Sequence, residues 1–348
     1  MLKRLLKMLL LGVIYTSFLG TTTAWAQDAA YEVKAVPSTA QVDESKTYFD
    51  LRLKPEEHHT ITVMVSNRSD KSVTVNTDVK TATTNTNGVV EYMNSEQNKS
   101  VELPYELSQL VQPATKKITL APHESRNVEY QITMPKQAFS GILSGGLIFT
   151  SEDEENSKAA NTDVTIKNQF GYVIALVLHG QKEVTSDLQL KSIHLGQINH
   201  RNVVFAQLTN PKAAYLNRLN VTAKIKKKHT STILYETKKD NLQMAPNSQF
   251  DYPISLQETN FKPGKYTLSI QAESKGRTWN FEEEFEIKAK EAKALNDQAY
   301  VHENEVKDWW YIIGIVILLL IIMLVVNYRE RQKKINELEE QVKELKEK

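Results

Sequence analysis

The sequence predicts an all-β ectodomain of two tandem immunoglobulin-like antiparallel sandwiches, followed by a helical stalk, one transmembrane helix and a short helical cytoplasmic tail. Three observations predict it. Between residues 31 and 288 apolar residues recur at every second position in short runs that end at Asn, Pro or Gly, the pattern of half-buried strands. The order of turn and strand signals in the first half of this region recurs in the second half. Residues 309–329 read WWYIIGIVILLLIIMLVVNYR, apolar over a length that crosses a bilayer as a single helix.

Residues 1–26 carry the three parts of a secretory leader: Lys3, Arg4 and Lys7, then an apolar run from Met8 to Leu19, then the small-x-small site Ala24-Trp25-Ala26. The apolar run is too short to span a membrane. Cleavage after Ala26 leaves Gln27 as the mature N-terminus and places the chain up to Asp308 outside.

The first sandwich is predicted over residues 27–150. YFDLRLKP (48–55), TITVMVSN (60–67), SVTVNTDVKTA (72–82), KITLAP (117–122) and NVEYQITMP (127–135) alternate apolar with polar residues and are rich in Val, Thr, Ile and Tyr. GILSGGLIFTS (141–151) reads as its last, centrally buried strand, with Gly145 and Gly146 marking a bulge or a close backbone approach. Acidic and small polar residues at 151–163, SEDEENSKAANTD, form a linker by composition.

The second sandwich is predicted over residues 164–288, opening with FGYVIALVL (170–178) and ending with RTWNFEEEFEI (277–287). In that last run Phe281, Phe285 and Ile287 share one face of the pleat, and Glu282, Glu284 and Glu286 the other. The two halves match in order. VSNRSDKSVTVNTDV (65–79) corresponds to LTNPKAAYLNRLNVTAKI (208–225), LAPHESRNVEYQITMP (120–135) corresponds to MAPNSQFDYPISL (244–256), and Gly141 and Gly264 each open the strand that follows. The first copy carries an extra segment, residues 81–112, and loops added to a rigid sandwich are where binding usually resides.

Residues 289–308 turn to Ala, Lys and Glu and predict a helical stalk. The transmembrane helix follows at 309–328. Trp309, Trp310, Tyr311 and Tyr328 sit at its interfaces, and Arg329, Arg331, Lys333 and Lys334 crowd its far end as cytoplasmic flanks do. This predicts a single-pass protein of the cell membrane with the N-terminal side outside and the tail, residues 329–348, inside. In the tail Ile335, Leu338, Val342 and Leu345 fall at heptad spacing, a coiled-coil seam too short to be stable by itself.

A net charge of +1, with no basic stripe, argues against a nucleic-acid surface. The densest basic cluster, KIKKK at 224–228, reads as a solvated strand. With 0 cysteines the chain has no disulfides, thiol nucleophile or Cys-based zinc site. No cofactor fingerprint and no phosphate loop are present. His58 and His59 are adjacent and point to opposite faces of a strand, and Ser144 lies in a strand context without a nucleophile-elbow pattern. The predicted protein is not an enzyme.

In the order of these signals the chain resembles the WxL-interacting proteins of Gram-positive bacteria. The resemblance rests on the leader, YFDLRLKP, VSNRSDKSVTV, TATTNTNGVVEY, LAPHESRNVEYQITMP and SGGLIF in the first half. NQFGYVIALVL, LTNPKAAYLNRLNV, MAPNS and PGKYTLSI carry it through the second, ahead of the membrane helix and charged tail. It implies a peptidoglycan-binding first domain, a second domain linked to host-matrix binding, and a role in holding WxL-domain proteins at the cell surface. The chain itself has no Trp-x-Leu tripeptide and no sortase-type motif before the helix, which fits a membrane-anchored adaptor. For glycan contact the insert offers Asn85, Asn87, Tyr92, Asn94 and Tyr105, because Tyr supplies a flat apolar face and Asn both a donor and an acceptor. The alternative is a single-pass surface receptor that signals through its tail. N-terminal sequencing of the protein recovered from membranes should begin at Gln27; a chain beginning at Met1 overturns the leader assignment.

Overall fold

The chain is described by a computed structural model over residues 30–93, 103–152, 171–300 and 308–346. The leader at 1–26 and residues 153–163 of the predicted linker lie outside the described residues.

The first sandwich begins with β1 (Tyr31–Ala35), β2 (Phe49–Arg52), β3 (His58–Asn67) and β4 (Val73–Thr81). The insert then supplies the short pair β5 (Thr83–Thr84) and β6 (Val90–Glu91) and the helical turn α1 (Leu107–Leu110). The remaining strands are β7 (Val111–Pro113), β8 (Lys117–Leu120), β9 (Ser125–Thr133), β10 (Ile142–Glu152) and β11 (Gly171–His179). One sheet has the order β1-β3-β9-β7 and the facing sheet β2-β11-β10-β4-β8, with β2 and β11 parallel. The alternation read from the sequence fills the space between them: Ile61, Val63 and Val65 of β3 meet Leu147 and Phe149 of β10 and Leu176 of β11. Tyr31 ties the layers together, donating its hydroxyl to the Phe149 carbonyl at 2.9 Å.

One boundary differs from the sequence reading. The run at 170–178, assigned there to the second sandwich, forms β11 and completes the first, pairing with β10 from Ile142↔His179 to Thr150↔Gly171. The reason is physical. Ile174, Leu176, Val177 and Leu178 are all buried, so the strand is apolar on both faces, and such a run carries no mark of which sheet it joins.

The second sandwich contains β12 (Gln189–Ile198), β13 (Arg201–Asn210), β14 (Leu216–Lys227), β15 (Ile233–Met244), β16 (Ser248–Ser255), β17 (Gly264–Ser274) and β18 (Arg277–Ile287). Its sheets are β12-β13-β16 and β15-β14-β17-β18. The basic cluster lies at the end of β14 and one residue past it, between acidic neighbours, with Lys224 3.6 Å from Glu236 and Lys228 2.5 Å from Glu284. The stalk region opens as the helix α2 (Ala289–Asn296), which is packed on the second sandwich rather than free of it. Ala292 is buried, Gln197 Nε2 donates to the Leu295 carbonyl at 2.6 Å, and Asn202 Nδ2 donates to Asn296 Oδ1 at 3.0 Å. The last helix, α3 (Asp308–Lys346), runs unbroken for 39 residues. Within it Ile313–Glu337 is long and apolar enough to cross a membrane, with none of its apolar window buried against the rest of the chain.

The internal repeat has a structural cause. Asn67 ends β3, and its Nδ2 donates to the Lys71 carbonyl at 2.7 Å and the Ala121 carbonyl at 2.9 Å. Asn210 ends β13, and its Nδ2 donates to Ala214 at 2.8 Å and Ala245 at 3.0 Å. In each copy one buried amide therefore joins a strand end, the loop that leaves it and the Ala-Pro turn. The residue after each Pro, His123 at φ 59° and Asn247 at φ 47°, is left-handed, as the turn demands. The register is the same in both: Ser66↔Ser125 in the first sandwich and Thr209↔Gln249 in the second. Replacing Asn67 or Asn210 by Ala strands several buried carbonyls and should cost about 2–4 kcal/mol. Urea unfolding checks this, with the exposed Asn280→Ala expected within about 0.5 kcal/mol of the parent.

Candidate binding site at the insert and the domain seam

β10 buries both of its faces. Leu143, Leu147 and Phe149 point into the first core, while Ser144 and Ile148, on the opposite face, are buried too. The insert and a loop of the second sandwich supply that outer cover. Gly146 is the point of approach: a Cβ there would meet Val173 Cγ1 at 2.6 Å and Tyr92 Cβ at 2.9 Å. On the inner face a Cβ at Gly145 would strike the Lys80 carbonyl and the Leu107 side chain of α1. The glycine pair thus marks close approach on both sides of one strand.

Beside Gly146, Tyr92, Tyr215 and Ser144 form a hydrogen-bonded chain across the two sandwiches. Burial pushes the Tyr92 phenol above its ordinary value, and the Tyr215 phenol further, so both stay neutral well into alkaline solution.

The hairpin β5–β6 makes the second set of bonds. Thr84 Oγ1 lies 2.6 Å from Ser248 Oγ and accepts from the Ala245 amide at 3.0 Å. The Gln243 amide donates to the Gly88 carbonyl at 2.7 Å, and Lys239 Nζ reaches the Thr86 carbonyl at 3.4 Å. Gly88 has φ +71°, a turn that favours glycine, and a Cβ there would fall 2.8 Å from Leu242 Cδ2 and push that side chain aside. A third contact lies at Gly141, also left-handed at φ +81°, where the Ile142 amide donates to the Ala213 carbonyl at 2.8 Å. These bonds fasten the two sandwiches to each other.

The candidates for glycan contact fall at separate supports. Asn85 uses its Oδ1 to hold the hairpin turn, accepting from the Asn87 amide at 3.0 Å and the Val89 amide at 3.2 Å. Asn87 is exposed at the tip. Tyr92 is half-buried in the seam. Tyr105 stands edge-on to Phe139 at 6.2 Å and its hydroxyl donates to the Gln137 carbonyl at 3.4 Å. Asn94 lies outside the described residues. Sequence reasoning missed Thr84, Gly88, Ser144 and Tyr215 as seam residues; the left-handed glycine of TNTNG was the one local signal available.

A recess opens beside the seam. It has a volume of about 190 Å³ and is rimmed by Arg52, Lys182, Glu183 and Tyr215 among others. At its edge Asp50 is held by His179 Nε2 at 2.5 Å and by Lys46 Nζ at 3.3 Å.

The peptidoglycan binding domain family of WxL Interacting Proteins matches residues 31–151, and the host binding domain family of the same proteins matches residues 161–297. Among curated proteins none matches the sequence. Solved structures with similarity include a chaperone–tip adhesin complex of CFA/I fimbriae, at 10% identity and TM-score 0.29 over 72% of this chain and 98% of that one. The E. coli chaperone DraB shows 12% identity and TM-score 0.26 over 68% and 100%. The CsuC–CsuE complex of Acinetobacter baumannii shows 10% identity and TM-score 0.31 over 64% and 90%.

The raised tyrosines give the seam a pH dependence. A phenol whose folded pKa lies above its ordinary value of 10.0 contributes stability that is complete below that value and is lost as pH rises through the folded value. The melting temperature should therefore stay level from about pH 7 to 9.5 and fall beyond 10. Tyr215→Phe should lessen that fall without removing it, because burial also raises the phenols of Tyr31, Tyr130 and Tyr252, as thermal melts across the series will show.

Proposed function

Since the chain belongs to the WxL-interacting protein family, we propose that it is a membrane-anchored adaptor that grips peptidoglycan with its first sandwich and holds WxL-domain proteins at the cell surface. A peptidoglycan binding domain followed by a host binding domain, ahead of one apolar helix, makes it an adhesin-like surface protein. That order carries the reading. The chemistry required is binding, which needs exposed polar and aromatic groups on a rigid support rather than a nucleophile.

The helix α3 anchors the assembly, with the sandwiches outside. The aromatic residues Trp309, Trp310 and Tyr311 suit the outer interface, and Tyr328, Arg329, Arg331, Lys333 and Lys334 the inner one. The second sandwich takes the host ligand, a protein of the extracellular matrix in this reading. Within the insert, glycan contact is assigned to Asn85, Asn87, Tyr92, Asn94 and Tyr105, with Asn87 and Tyr105 the two whose replacement leaves the seam intact.

Full-length protein in nanodiscs should sediment with purified sacculi and should capture a purified WxL-domain protein. Asn87→Ala combined with Tyr105→Ala should lower retention on sacculi roughly tenfold, with the Tyr105 replacement also costing about 1–2 kcal/mol of stability because its ring packs on Phe139. Asn87→Ala alone should lower retention by a smaller factor at the parent's melting temperature. Failure of the parent protein to sediment with sacculi would remove the peptidoglycan role, and failure to capture the WxL-domain protein would remove the adaptor role.

A further inference from the structure

The recess at the seam is built from both sandwiches. Arg52 stands at the end of β2, Lys182, Glu183 and Val184 lie on the segment that leaves β11, and Ala213 and Ala214 come from the loop between β13 and β14. Its floor is fixed by main-chain bonds. The Gly141 amide donates to the Lys182 carbonyl at 2.6 Å, and the Gly180 amide donates to the Gly141 carbonyl at 2.7 Å. A Cβ at Gly180 would strike the Phe139 carbonyl oxygen and fall 2.8 Å from its ring, so only glycine fits where that segment passes Phe139.

The charges on the rim are not matched to one another. Arg52, Lys182 and Glu183 are exposed, and among the described residues none of them makes an ion pair. Asp50, the nearest acid in sequence to Arg52, is already occupied by Lys46 and His179. Unpaired charges of both signs favour a ligand that carries both signs itself. Two cations suit a carboxylate, which an Arg fork binds through paired hydrogen bonds, and an acid suits an ammonium group. Ala213, Ala214 and Val184 give the walls small apolar surfaces of methyl size. At about 190 Å³ the recess is smaller than sites that enclose a drug-sized ligand, so it fits the end of a chain rather than a whole repeating unit.

We infer that this recess binds the end of a peptidoglycan stem peptide, with the terminal carboxylate on Arg52 and Lys182, the diamino-acid ammonium on Glu183, and alanine methyl groups against the small apolar walls. The inference rests on the peptidoglycan reading and narrows it from the glycan strand to the peptide. Because both sandwiches contribute, a bound peptide also spans the seam.

The test uses the full-length chain in nanodiscs and a synthetic L-Ala-γ-D-Glu-L-Lys-D-Ala-D-Ala pentapeptide, titrated by calorimetry. Saturable binding is expected, roughly tenfold weaker for Arg52→Gln combined with Lys182→Gln and for the peptide with an amidated C-terminus. Glu183→Gln should erase the preference for the free over the Nε-acetylated lysine peptide. These positions are exposed, so melting temperatures should stay at the parent value. No pentapeptide binding, or equal binding by the double variant, overturns the inference. Sacculus sedimentation run in parallel separates the two readings: retained sacculi with no pentapeptide binding sink this site and leave wall binding standing, while loss of both sinks the two together.

Discussion

A strand that is buried on both faces has to be covered on both, and β10 places that demand at the centre of this protein. Its inner face is met by the first core. On its outer face, leaving Ile148 and the neighbouring apolar surface in water would forfeit about 25 cal/mol for each Å² of apolar area left exposed. Part of the cover comes from the insert through Tyr92, and part from the second sandwich through Tyr215. The extra segment is thus more than a surface decoration. It is the piece that commits two similar sandwiches to one arrangement, and the hydroxyls of Thr84, Ser144 and Tyr215 supply the directionality that apolar burial lacks.

Much of this was legible in the sequence. The strands are written in period two, and the paired Asn and Ala-Pro signals reported an internal repeat whose basis is the buried amide of Asn67 and Asn210. Gly145 and Gly146 announced a close approach. The allegiance of β11 was not legible, because a doubly buried run loses the alternation that assigns a face. The docking of α2 was hidden for a related reason: Ala292 and Leu295 make too small an apolar stripe to stand out within an Ala-Lys-Glu segment. The seam was hardest to see. Threonines, a serine and a tyrosine become an interface only once the fold brings residues some 160 positions apart into contact, as with Thr84 and Ser248.

The candidate site follows from the same geometry. Side chains that hold the seam, Asn85 and Tyr92, share the insert with one that faces solvent, Asn87, so binding and architecture are drawn from a single loop. Ligand contacts placed there are preorganised, since the hairpin that carries them is already tied to the second sandwich by the Gln243 amide and the Thr84 hydroxyl. A recess floored by backbone bonds beside that tie has the same property.

The docking of α2 sets a limit on reach. The chain leaves the second sandwich where the Tyr300 amide donates to the His200 carbonyl at 2.7 Å, and α3 begins at Asp308. Fully extended, the interval spans no more than roughly 25–30 Å. With the proposed orientation, the host-binding sandwich is leashed close to the lipid headgroups and the peptidoglycan-binding sandwich stands above it. Tension applied by an attached host surface would pass from the second sandwich through the docked helix into the bilayer, while tension on the wall would enter through the first sandwich and cross the seam. The tyrosine chain and the hairpin therefore lie on one mechanical load path and off the other.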